Sequence, residues 1–211
     1  MRAVTLDSSE WNDGFLFVAN RPVLDFLNTK PVLAQGPVEL LPDFHSLERW
    51  LIAAGILNSA KQKALVRNWR NSPEAALFLK DLIAFRERLR DAVLRIEGSS
   101  APGEDFIQEV NRGLLRYPLV TTLRKREGRI VREPYFELKR PSDLWAFFFA
   151  GAAELMTEPQ TARLRQCEAC IVHFFDISKK GSRRWCSMNL CGNKVKVAAY
   201  QRRKRDGGSA G

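Results

Sequence analysis

Four cysteines, Cys167, Cys170, Cys186 and Cys191, stand in one short stretch, and the chain has no others. Their spacing is C-x2-C, a loop of fifteen residues, then C-x4-C. Two close pairs of thiols joined by a loop meet the needs of structural zinc, which takes four soft ligands in a tetrahedron. The opening Met-Arg-Ala-Val-Thr-Leu-Asp-Ser-Ser-Glu lacks the apolar core of a signal peptide, so a cytoplasmic location is expected. Thiols stay reduced there, and clustered cysteines hold metal rather than each other. A catalytic zinc keeps an open position, which four thiolates close. No Ser-His-Asp or Cys-His pairing and no glycine-rich phosphate loop is found, so the chain reads as a non-enzyme. His173 is a further candidate ligand, read as a packing or hydrogen-bonding residue because four thiols suffice. His45 reads as helix-start structure.

Charge concentrates on the same stretch. The net charge is +10. Residues 163–205 hold 12 Lys/Arg against 2 Asp/Glu, whereas residues 1–162 hold 22 against 21. With four thiolates and a divalent zinc the stretch keeps roughly +8. A compact basic module draws phosphate polyanions or anionic membranes. No apolar run reaches membrane-spanning length. The basic tail also lacks the broad apolar face of interfacial helices, so no membrane partner is expected.

The elements that must position these residues can be read locally. Cys167-x-x-Cys170 forms a first knuckle, Phe174-Phe175 a short strand, and Lys179-Lys-Gly-Ser182 a turn. Cys191-Gly192-Asn193 opens a helix through the breaker-free Val195 to Gln201, which places the last ligand at a helix N-terminus. The dipole and free amides there favour an anionic thiolate cluster. Knuckle, hairpin and ligand-bearing helix describe a treble-clef-like finger. On that helix Val195, Ala198 and Ala199 can pack inward. Lys194, Lys196, Gln201, Arg203, Lys204 and Arg205 project, and Arg183 and Arg184 join them from the hairpin. This is a candidate nucleic-acid face, with Asn193 and Gln201 able to reach base edges. A solvated charged helix is the plainer alternative.

Upstream the pattern is helical. Asn20-Arg-Pro22 predicts a short helix capped by Asn20. Residues 30–42 read as loop. Residues 43–57 are amphipathic through Leu47, Trp50, Leu51 and Ala54. Asn58-Ser59 caps a helix reaching Trp69. Ser72-Pro73-Glu74 starts the longest helix, which runs to about Glu97. Residues 104–115 form another. Residues 119–123, 129–132 and 135–138 read as strands around a Glu127-Gly128 turn. Residues 142–156 return to an apolar helix with Trp145, Phe148 and Phe149, read as core.

The stretch from Phe174 through Arg183-Arg-Trp-Cys-Ser-Met-Asn-Leu-Cys191-Gly-Asn-Lys-Val-Lys196 resembles the CGNR zinc finger family of bacterial proteins, regarded as transcription regulators. The same family carries an N-terminal helical ABATE domain, proposed to sense a ligand or stress. Leu24-Asp-Phe-Leu-Asn-Thr29 is similar to the signature opening that domain. The resemblance implies zinc on Cys167, Cys170, Cys186 and Cys191, and DNA as partner. The family motif ends in Arg where this chain has Lys194. Lysine keeps the charge but not the planar fork used for bidentate contacts.

The expected fold is therefore mainly α. An ABATE-like sensor or dimerisation domain with a small β-hairpin spans residues 1–158, a treble-clef-like finger spans 163–205, and a disordered tail spans 206–211. The expected function is zinc-dependent, DNA-binding transcription regulation, with an RNA-binding or protein-interaction module as the alternative. A small-molecule ligand and homodimerisation are further expectations. Asp25, Asn28 and Thr29, at helical spacing, either line a ligand pocket or cap helices and hold a loop, and the second is favoured.

Overall fold

The computed structural model describes residues 10–33 and 36–207. They form two compact units. Described residues up to Leu41 belong with those from Ala162 onward, and Pro42–Thr161 stand together. The described residues up to Leu41 thus group with the finger, where their hydrogen-bond partners lie.

The unit of Pro42–Thr161 is helical. Asp43 caps α2, Phe44–Ala53, by accepting from the Ser46 amide. Ser59 and Gln62 form a capping box at the start of α3, Ala60–Asn68. Ser72 caps α4, Pro73–Glu97, which has proline in its first turn. Then come α5, Glu104–Arg116, and α6, Trp145–Met156, the latter led in by a 3-10 turn at Pro141–Leu144. Phe78, Leu82, Phe85, Leu89, Val93 and Ile96 of α4 are buried, as their three- and four-residue spacing requires. Phe85 meets Trp145 and Phe149 edge-on at 5.3 and 5.2 Å. Helices α5 and α6 approach closely at Gly113, where a Cβ would stand 2.3 Å from the Phe149 ring. Glu48, 1 % exposed, is held by Arg70 at 2.5 Å and lies 3.6 Å from Arg67, tying α2 to α3.

The hairpin of this unit pairs Val120–Arg126 with Arg129–Tyr135 around Glu127 and Gly128. Both turn residues have positive φ, 48° and 80°, which matches the twist of a two-residue hairpin loop.

The other unit carries small antiparallel pairs. Strands β1 (Trp11–Asn12) and β2 (Phe15–Leu16) form one, and β3 (Val32–Leu33) and β4 (Gly36–Pro37) another. The upstream hairpin strands of the helical unit are β5 and β6. In the finger, β7 (Leu164–Gln166) pairs with β8 (His173–Phe175). Helix α1 spans only Pro22–Leu27. Asn20 does not cap it; its φ is 60° and its side chain binds elsewhere. Helix α7 runs over Asn193–Gly207, so Asp206 and Gly207 are helical rather than tail, and the remainder of the expected disordered tail lies outside the described residues. No helix among the described residues is long and apolar enough to cross a membrane.

Candidate metal centre and basic helix

The antiparallel pair β7–β8 delivers the first two thiols. Its turn closes when the Cys167 amide donates to the Val172 carbonyl at 2.9 Å, which points Cys167 and Cys170 the same way. The Glu168 amide reaches across to the Arg184 carbonyl at 3.0 Å and brings the second arm alongside. That arm enters a single π-type turn, Met188–Gly192, which contains Cys191. Ser187 caps the turn, its side chain accepting from the Asn189 and Leu190 amides. The Ser187 carbonyl accepts from the Cys191 and Gly192 amides at 3.2 and 3.0 Å. Cys191 therefore sits one turn inside the helical run rather than at its free-amide end as expected, because Ser187 starts that run earlier. A Cβ at Gly192 would lie 2.5 Å from Met188 Sδ and 3.3 Å from the Trp185 ring, so a glycine lets the turn close there.

All four Sγ atoms lie within 4.8 Å of one another and all four cysteines are buried. Cys186 Sγ is 3.8 Å from Cys170 Sγ and 3.7 Å from Cys191 Sγ. The cysteines are free thiols, without disulfides. A tetrahedron with metal–sulfur bonds of about 2.3 Å has sulfur–sulfur edges of about 3.8 Å. The donor set thus fits a single tetrahedral ion. Contact with Cys170 first, then with the other two thiols, pulls Cys167 below the usual thiol range. Contact with Cys167 pushes Cys170 and Cys186 up. Four thiolates this close need a cation among them, and binding one would release protons. His173 is not part of this group of donors.

The buried Asp176 braces the loop between the two arms. Its carboxylate accepts from the Ser178 amide at 2.9 Å and the Arg183 amide at 2.8 Å. Burial pushes its pKa up, yet these hydrogen bonds and the Arg183 charge outweigh it and hold the carboxyl below its ordinary value.

The basic residues fall into two sets. Arg163 donates to the Asp176 and Ser178 carbonyls at 2.8 Å each, and Arg165 to the Gly181 carbonyl at 2.9 Å. Arg183, expected to project, lies over the Phe174 ring at 4.9 Å and donates to the Trp185 and Cys186 carbonyls. It is part of the knuckle. Arg184 is exposed but paired with Glu168 at 2.5 Å. By contrast Asn193, Lys194, Lys196, Gln201, Arg203, Lys204 and Arg205 are exposed on α7, with Arg202 beside them. Residues 193–205 contain no acidic side chain. Lys179 and Lys180, read from sequence only as turn residues, are exposed on the adjoining loop.

The N-terminal candidates are engaged by separate backbone partners. Asp25 Oδ1 accepts from the Val18 and Ala19 amides at 3.0 and 2.9 Å. Burial, opposed by those two amides, pushes its carboxyl up to about 7. Asn28, at the end of α1, pairs with the backbone of His173: Nδ2 donates to the carbonyl at 2.8 Å and Oδ1 accepts from the amide at 3.0 Å. Thr29 Oγ1 donates to the Phe26 carbonyl at 2.6 Å. The Phe175 amide donates to the Ala19 carbonyl at 2.8 Å, and Asn20 Nδ2 donates to the Phe175 carbonyl at 2.9 Å. Arg21 covers the Phe175 ring at 4.3 Å. Ser187, the cap of the ligand-bearing turn, donates to Glu10. The free edge of β8 is thus sealed by the segment around α1, a role sequence reasoning missed. The signal was present only as polar residues within an apolar run, with nothing to name their partner.

This geometry defines a four-thiol metal finger continued by a basic helix and clasped by a segment from far upstream. Residues 163–204 match the family model of the CGNR zinc finger. Residues 20–159 match the ABATE model, described as "Putative stress-induced transcription regulator". The chain belongs to the ABATE family, and its finger is of the CGNR type. No curated protein matches the chain.

Proposed function

We propose that the protein is a DNA-binding transcription regulator whose finger is held by zinc on Cys167, Cys170, Cys186 and Cys191. One observation carries this reading: a closed four-thiol cluster fixes the root of a helix whose exposed side chains include cations and no acid over residues 193–205. Bound zinc supplies a rigid cross-link, not a reactive water, because the thiols leave no open position. The protein therefore binds rather than catalyses. Helix α7 is about 22 Å long at 1.5 Å per residue, and its diameter of about 10–12 Å fits the width of a major groove. Lys196, Arg203, Lys204 and Arg205 meet phosphate, while Asn193 and Gln201 reach base edges. Arg184 can exchange Glu168 for phosphate, since an exposed pair contributes little. Lys194 gives charge without the bidentate fork, which favours phosphate contact over guanine reading at that position. The helical unit supplies response to a small molecule and pairing of two copies. The family description, a stress-induced transcription regulator, supports a response to a signal.

The test is fluorescence anisotropy of the zinc-loaded chain with labelled duplex DNA and with structured RNA across a salt series. Affinity for duplex should fall with salt at a log-log slope of about −0.9 per phosphate contacted. Replacing Arg203, Lys204 and Arg205 by Gln should lower it. Absence of duplex binding at low salt, a preference for RNA, or no effect of the triple substitution would refute the proposal.

A further inference from the structure

We infer that the β5–β6 hairpin is a second contact for the same DNA, made by one face of a two-stranded ribbon. The inference rests on the DNA reading above and extends it to an element outside the finger.

The register puts Thr121 opposite Pro134, Leu123 opposite Arg132, and Lys125 opposite Ile130. Because side chains alternate, these six share one face. All six are exposed, with Leu123 at 68 % and Ile130 at 66 %. The opposite face is different: Thr122, Val131 and Glu133 are half-buried, and Arg124 spends its charge on Glu133 at 3.2 Å. The ribbon thus has a partly covered side and an open side. The open side holds two aliphatic residues and two cations, and no acid.

An isolated two-stranded ribbon is marginal in water, and an exposed apolar face on one calls for an occupant. Charge decides which occupant. In a two-fold contact each patch meets itself. A second copy docked here would bring Lys125 and Arg132 against their own images with no carboxylate between them. A phosphate backbone complements both. The major groove admits a two-stranded ribbon, and the thymine methyl offers apolar contact of the kind Leu123 and Ile130 can take. Seven residues per strand span about 23 Å, long enough to cross a groove about 12 Å wide. Outside the ribbon, residues 1–119 and 136–162 hold 17 basic against 19 acidic residues. The ribbon's segment, residues 120–135, nonetheless holds five Lys/Arg against two Glu.

The experiment uses the full zinc-loaded chain and a fluorescein-labelled 30-base-pair duplex of random sequence, titrated from about 50 mM to 1 M salt. Lys125→Gln with Arg132→Gln should make the log-log slope shallower by about 1.8, two contacts at about 0.9 each, which is about 60-fold weaker binding at 0.1 M if the curves meet at 1 M. Leu123→Ser with Ile130→Ser should weaken binding at unchanged slope and unchanged mass by light scattering. Both pairs are exposed, so the circular dichroism and melting midpoint should match wild type. An unchanged slope in the Lys125/Arg132 variant, with binding still lost on replacing Arg203, Lys204 and Arg205, would overturn this inference and leave the finger reading intact. No duplex binding by wild type at low salt would overturn both. A halved mass in the Leu123/Ile130 variant with unimpaired DNA binding would assign the face to a second copy and overturn the inference.

Discussion

Replacing Asn28 by Ala tests whether the finger depends on the segment that clasps it. Asn28 is 3 % exposed and satisfies both backbone groups of His173, at 2.8 and 3.0 Å. Alanine would remove the side chain that pairs with a buried amide and carbonyl of β8. Each unsatisfied buried group costs about 1–3 kcal/mol, so the clasp should weaken by about 3 kcal/mol if water enters in part. That is about a 150-fold rise in the open population, at 1.36 kcal/mol per decade. Two readouts bear on it. Hydrogen exchange at the Phe175 amide, held by the Ala19 carbonyl, should accelerate by about that factor if the clasp opens as a unit. Transfer of zinc from the full chain to a colorimetric chelator should accelerate likewise, because β8 and the Cys167 knuckle share the Cys167–Val172 hydrogen bond. Exchange at Phe175 unchanged in the variant, together with a zinc-transfer rate within about twofold of wild type, would refute the reasoning.

Other consequences are sharper in direction than in size. Cys186→Ser removes a buried thiol with two sulfur neighbours below 4 Å, so the purified chain should retain no stoichiometric zinc by elemental analysis, and chelation of wild type should reproduce its loss of finger structure. Gly113→Ala forces a Cβ to within 2.3 Å of the Phe149 ring; it should destabilise the helical unit by about 1–3 kcal/mol in urea unfolding, and Phe149→Leu should recover part of that. Asp25 has a carboxyl raised to about 7 by burial, above its unfolded value of about 3.9. Its contribution is therefore complete at acid pH and is lost as pH rises through about 7. Asp25→Asn should flatten the fall in melting midpoint between about pH 4 and about pH 7, and an equal slope in both proteins would contradict the assignment.

What could be read from the sequence was local. Ser59 and Ser72 announced their helices because a cap and the amide it binds lie three residues apart. Glu127-Gly128 announced its hairpin for the same reason, and the cysteine spacing announced the metal site. What could not be read was every role whose partner is distant. Asn20 has the type of a helix cap but serves Phe175, and Asn28 serves His173, 145 residues on. Arg183 belongs by composition to a phosphate-binding surface, yet its guanidinium turns inward to the Trp185 carbonyl. The π-type turn at Cys191 follows from Ser187 taking the capping position, and nothing in Cys-Ser-Met-Asn ranks that serine above Asn193 as the start.

The clasp also has a bearing on synthesis. Residue 28 leaves the ribosome 145 positions before the strand it must seal, an interval of about 10 s at the usual pace of translation. During that time the helical unit can complete its own local contacts, while the segment around α1 has no finger to bind. Joining the two ends is a late, high-separation step of the kind that slows folding. An expression fragment confined to residues 163–205 would bear an uncovered β8 edge, the sort of edge that recruits other chains. Aggregation of that fragment would then reflect a missing strand cover rather than a missing ion.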